Sequence, residues 1–87
     1  MKDLINRNDR KKGEQTMRTK SEKIVASRLR DFRLSAELTQ EGVAELAGID
    51  RKTVNRIENN HFSPNLDTLL RLCKAFGIKP AELLKGL

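Results

Sequence analysis

An all-α bundle of five short helices is what this 87-residue sequence predicts, on three observations. Trp and Tyr are absent and Phe occurs three times, so any core must be aliphatic. Leu, Ala, Glu, Lys and Arg suit helices, and strand formers are too sparse for a sheet. Apolar residues recur at spacings of three and four between Ser, Thr, Asp or Asn caps and Gly stops. A chain this long makes one small domain at most. The expected division is a basic arm over residues 1–20 and a folded domain over 21–87.

The arm carries seven Lys or Arg against three Asp or Glu, net +4, leaving +2 of the total +6 for residues 21–87. Its apolar side chains, Met1, Leu4, Ile5 and Met17, follow no helical period and are too few to offset the entropy of ordering. It reads as disordered. Either it has no specific role, or it adds phosphate contact and minor-groove reach. A natural start at Met17 is a third account.

The first helix is expected from Ser21 or Glu22 to Ser35, with Ser21 as N-cap and Glu22 favourable to the helix dipole. Val25, Leu29 and Phe32 form its buried stripe, with Ala36 one turn further on, while Arg28, Arg30 and Asp31 point elsewhere. Thr39 caps the second helix, and Leu38 with Val43 makes a hydrophobic staple. Val43, Leu46 and Ala47 are expected to face inward, with Ala44 allowing a close helix contact. Gly42 weakens this helix by about 1 kcal/mol relative to Ala.

Gly48 ends the second helix where a left-handed residue is needed. Asp50 caps the third, and Ile49 with Val54 repeats the staple. Asn59 to Pro64 is a loop by composition. Asn65 caps a fourth helix with an apolar stripe of Leu66, Leu69, Leu70, Cys73 and Phe76, ended by Gly77. Pro80 suits the first position of a last short helix, Ala81 to about Lys85. Leu83, Leu84 and Leu87 fit either a self-association surface or burial against the first helix.

At about 100° per residue, Arg51, Lys52, Asn55 and Arg56 share an arc of roughly 140° on the third helix, with Val54 and Ile57 opposite. Two short helices around one glycine, the second with a basic outer face, have the layout of a helix-turn-helix whose second helix enters the DNA major groove. Arg reads guanine O6 and N7, Asn reads adenine N6 and N7, and Lys serves base or phosphate. A solvated surface helix is also polar outside, so the arc gains its meaning from the turn before it. Net charge +6 favours a polyanionic partner, although a basic surface kept for solubility has the same charge.

From Val25 to Leu84 the chain resembles the Cro and CI phage-repressor type of helix-turn-helix domain, the lambda repressor-like fold. The matching residues are Leu29, Phe32 and Arg33, then Leu38-Thr39-Gln40, Val43-Ala44 and Ala47-Gly48-Ile49. Val54, Ile57-Glu58-Asn59, Pro64 through Leu70 and Ala75-Phe76-Gly77-Ile78 complete the signature. The resemblance implies an Arg33–Glu58 ion pair and phosphate contacts at Thr39, Gln40 and Asn59. Thr53 is read as a further phosphate contact, and His61, in the loop, either touches phosphate or faces solvent. It also implies that Gln40 braces a recognition-helix side chain. Gly48, Val54 and Ile57 are structural in this reading. Lys79 stands where a Ser or Asp cap is usual, so the last helix is expected to start loosely; Asn60 replaces a common Gly but tolerates left-handed geometry.

The resulting expectation is a transcriptional regulator, a repressor or controller protein, binding a palindromic site on double-stranded DNA as a homodimer. Leu83, Leu84 and Leu87 are the expected dimer contacts, since no second domain is read in the chain. The alternative is an antitoxin or adaptor whose main partner is another protein, such as a toxin, with the arm its only wrapping segment. Enzymes are disfavoured: there is one His, one Cys, and no phosphate-loop or metal-ligand spacing. No metal or cofactor is expected, and stacking aromatics for RNA are missing from the basic face. Cys73 lies at an apolar helical position and reads as a buried thiol. No run is long enough to span a membrane, so the expected location is cytoplasmic.

Overall fold

In the computed structural model, residues 19–87 are described, and all but the last two residues of the expected arm lie outside them. Five helices follow in order: α1 (Lys20–Ser35), α2 (Gln40–Ala47), α3 (Arg51–Glu58), α4 (Leu66–Phe76) and α5 (Pro80–Leu84). Among the described residues there is no strand. This is the five-helix architecture expected from the sequence.

Helix α2 packs on both α3 and α4, and α1 closes the other side against α3, α4 and α5. The core is Leu29 from α1, Val43, Ala44 and Ala47 from α2, Val54 and Ile57 from α3, Leu72 and Cys73 from α4, and Leu83 from α5. Phe32 and Phe76 stack at its edge with ring centroids 6.5 Å apart. Ala44 and Ala47 let α2 lie close to its neighbours, as small side chains do.

Helices α1 to α4 all end alike. A left-handed residue (Glu37, Gly48, Asn60 or Gly77) follows the last turn. The next amide then reaches back five residues: Leu38 N to Arg33 O, Ile49 N to Ala44 O, His61 N to Arg56 O, and Ile78 N to Cys73 O, at 2.8–3.1 Å. This satisfies carbonyls that a helix end would otherwise leave orphaned. Gly48 and Gly77 were expected here, and Asn60 holds the geometry as expected (φ 59°). Glu37, also at φ 59°, was not foreseen.

Several expectations need correction. The cap of α1 is Thr19, not Ser21: its hydroxyl accepts from Glu22 N (3.0 Å) while the Glu22 carboxylate accepts from Thr19 N (2.8 Å). Ala36 is exposed, and Ala26 takes the buried position instead. Leu46 is 62% exposed and Leu66 70% exposed, so neither belongs to the core; Leu70 is exposed too, and Leu72 is buried beside Cys73 instead. Helix α4 packs chiefly on α2 and less on α1 and α5. Asp50 occupies the N-cap position of α3 but makes no side-chain cap bond. Helix α5 does not start loosely, because the Glu82 carboxylate accepts from Lys79 N at 2.9 Å.

Leu83 is fully buried, which removes it from the expected dimer contacts. Arg28 explains its fixed place. Its guanidinium Nη1 donates to Leu83 O (2.8 Å) and Lys85 O (2.7 Å), holding the end of α5 against α1. Gly42 also has a physical reason: a Cβ there would meet Thr39 Oγ1 at 3.2 Å, the atom that caps α2 through Gly42 N at 2.9 Å.

Candidate nucleic-acid interface

The α2–α3 unit is built around Gly48 (φ 70°), where α2 stops and the chain reverses into α3. Thr39 caps α2 and Asp50 begins α3. Ile49 is partly buried against the core and Val54 is buried in it. Val54 and Ile57 pin α3 from beneath, so Arg51, Lys52, Asn55 and Arg56 are left exposed along its outer side. Thr53 lies between these faces and is half-buried. The sequence arc and the structural face are therefore the same set of side chains.

A hydrogen-bonded chain runs from the interior to that face. Arg33 on α1 meets Glu58 at the end of α3 through Nε to Oε2 (2.6 Å) and Nη2 to Oε1 (3.1 Å). The two side chains are 11% and 5% exposed. Arg33 also donates to Leu38 O (2.8 Å), joining the turn between α1 and α2. Gln40, the first residue of α2, donates Nε2 to Glu58 Oε1 (3.1 Å) and accepts from Asn55 Nδ2 (3.3 Å). A residue on α2 thus braces a residue on the outer face of α3.

Asn59 donates its side-chain amide to Asn55 O (2.9 Å), closing the end of α3. Thr39, Asn59 and His61 are all exposed. The loop after α3 is tied to α1 by Ser63 Oγ donating to Glu22 Oε2 (2.8 Å), a link across 41 positions that no sequence pattern signalled. Arg71 on α4 donates to Ala47 O (3.3 Å) and pairs with Asp67 (3.0 Å), supporting the C-terminal end of α2.

Cys73 is buried; desolvation pushes its thiol pKa above the ordinary cysteine range, and the Glu82 charge adds to the rise. A thiol so placed stays protonated at neutral pH and is a packing group. Among the described residues no cluster of His, Cys, Asp and Glu could hold a metal. None of their helices is long and apolar enough to cross a membrane.

An exposed basic helix, a glycine turn and a supporting helix define a helix-turn-helix domain. The helix-turn-helix family model matches residues 29–83, and the chain belongs to that family, in its Cro and CI type. It is 37% identical over 60 residues to the cryptic phage CTXphi transcriptional repressor RstR of Vibrio cholerae, covering 69% of this chain and 54% of the repressor. The match therefore spans about half of that relative's length. An uncharacterized HTH-type transcriptional regulator of Methanocaldococcus jannaschii is 34% identical over 59 residues, 68% of this chain and 89% of the regulator. Among solved structures, the restriction-modification controller protein C.AhdI from Aeromonas hydrophila superposes with a TM-score of 0.68 at 36% identity, covering 72% of this chain and 94% of the controller.

Proposed function

We propose that this protein is a sequence-specific, double-stranded DNA-binding transcriptional regulator that reads a near-palindromic operator as a homodimer. The observation that carries the reading is α3 itself, with Val54 and Ile57 buried and Arg51, Lys52, Asn55 and Arg56 outward beside the Gln40 brace. In the major groove, the two Arg and Asn55 take the base edges, and Lys52 takes base or phosphate. The α2 N-terminus at Thr39 and Gln40, with Thr53, Asn59 and His61, takes the backbone, since exposed helix N-termini suit phosphate. The relatives' names as transcriptional regulators, repressor and controller support the same assignment.

Pairing of two copies is assigned to exposed leucines near the chain end. Leu84 is 41% and Leu87 47% exposed, and Leu84 lines one groove with Phe62 and Leu69. Dimers of such domains place two recognition helices about one DNA turn apart, roughly 34 Å, which accounts for a palindromic site. Selection from random duplex DNA with the purified protein, at two salt concentrations, tests this. Enrichment of inverted half-sites about ten base pairs apart is the expected result; recovery of unselected sequence at both salts refutes the reading.

A further inference from the structure

Gln40 and Asn55 carry side-chain amides whose two ends look alike in shape and opposite in hydrogen bonding. What decides which end faces where is the partner at the head of the chain. The Glu58 carboxylate accepts two N–H bonds from Arg33 and has no proton to give. Gln40 must therefore turn Nε2 toward Glu58, as it does at 3.1 Å. Its Oε1 then faces Asn55, which must answer with Nδ2, at 3.3 Å. Asn59 does not interfere, because its amide bonds the Asn55 main-chain oxygen instead. The polarity of the chain is thus set from one end, and Asn55 on the exposed face is left with Oδ1 and one N–H in a fixed order.

We propose that Glu58 is a specificity-determining residue acting through Gln40: it fixes the amide orientation of Asn55 and so the base pair that Asn55 reads. The inference rests on α3 being the DNA-reading helix. Adenine offers the N7 acceptor beside the N6 donor. An amide of fixed polarity matches that order in one orientation, and in the other sets acceptor against acceptor and donor against donor. Glu58→Gln removes the polarity. With its oxygen at the Oε2 place, facing Arg33 Nε, the new amide presents N–H toward Gln40, which turns over with Asn55. With its oxygen at the Oε1 place, which Arg33 Nη2 and Gln40 share, the parental order returns, so neither order is enforced. Arg33 and Glu58 would then serve base choice as well as folding.

The experiment uses labelled duplexes carrying each of the four base pairs at every position of the half-site selected by the parent protein. Asn55→Ala first identifies the pair that Asn55 reads, as the position where discrimination collapses. Glu58→Gln is expected to change the ranking at that pair, or flatten it by at least about fivefold, while pairs sensitive to Arg51→Ala and Arg56→Ala keep their order. Gln40→Met, which cuts the relay and leaves the ion pair whole, is expected to flatten the same pair alone. A Glu58→Gln protein that weakens every duplex equally and keeps the parental ranking overturns the proposal. So does a parental ranking in Gln40→Met, which decides the matter if Glu58→Gln fails to fold. A parent protein that enriches no sequence removes the DNA-reading assignment itself, a different failure seen before any variant is measured.

Discussion

Arg33 and Glu58 lie 25 positions apart and meet in a two-pronged ion pair with both side chains nearly out of solvent. Buried pairs of this kind contribute little over an apolar substitute, yet removing one partner strands a charge. Arg33→Met and Glu58→Ala are therefore expected to lower unfolding free energy by about 3 kcal/mol each. The Arg33→Met/Glu58→Leu double variant is expected to lose less than the two single changes combined. The Arg71–Asp67 pair on α4 is the contrast, with side chains 51% and 72% exposed. Asp67→Ala should change stability by about 0.5 kcal/mol or less. Urea unfolding of all four proteins checks the order, and equal small losses throughout would contradict it.

On the outer side of α3, Arg51→Ala, Asn55→Ala and Arg56→Ala are each expected to weaken binding to the selected operator by about 1–3 kcal/mol and to relax one base position. A phosphate contact behaves differently. Asn59→Ala or His61→Ala should weaken operator and random duplex alike. Fluorescence titrations on both duplexes separate the two patterns. The assignment of reading residues fails if the three α3 variants lose nothing on the operator.

Glu37 holds a left-handed conformation that costs a non-glycine residue about 1–2 kcal/mol. Glu37→Gly is expected to stabilise the fold by about 0.5–1 kcal/mol, less than the full strain because glycine also loosens the unfolded chain. Gly48→Ala should do the reverse. It imposes the same strain at φ 70° and brings a Cβ to 3.2 Å from Arg71 Nη1, the atom bonded to Ala47 O. Gly77→Ala meets open space and should be the milder of the two. Thermal or urea unfolding gives the ranking.

These turns show what the sequence makes legible. A glycine after an apolar run announces a left-handed stop, so Gly48 and Gly77 could be placed; Glu37 performs the same task without any compositional sign. Periodicity likewise finds a helix and its general inner side, but not which neighbour covers the margins. Leu46 and Leu66 sit at exposed margins, whereas Ala26 and Leu72 are buried. The α3 face could be read because its polar and apolar halves are cleanly separated. The Arg28 clamp and the Glu22–Ser63 link could not, since each joins residues more than 40 positions apart through ordinary polar side chains.

Cys73 gives a pH prediction. Its raised pKa means the folded state disfavours the thiolate. The stability this group contributes is complete below the unfolded thiol's pKa, about 8.5, and is lost as pH rises through the higher folded value. Between pH 8 and pH 10 the parent protein should lose more stability than Cys73→Ala does over the same interval. Urea midpoints at the two pH values give the difference; parallel losses would show that the thiol does not titrate with unfolding.

Neighbouring leucines at the end of the chain should separate folding from pairing. Leu83 fills the core and its carbonyl is held by Arg28, so Leu83→Ala leaves a cavity and is expected to cost about 2–5 kcal/mol. Leu84 and Leu87 are exposed in the single chain, so Leu84→Lys and Leu87→Lys should leave monomer unfolding nearly unchanged. If these leucines meet their copies across a two-fold axis, each new lysine faces a lysine in an apolar contact. That repulsion and desolvation should weaken the dimer by tenfold or more, about 1.4 kcal/mol. Sedimentation equilibrium over a range of protein concentration measures the pairing, and operator titrations should lose their cooperative character in the same variants. Undiminished pairing in both lysine variants would place the two-fold contact on another surface, with the exposed Leu66 and Leu70 face of α4 the next to test.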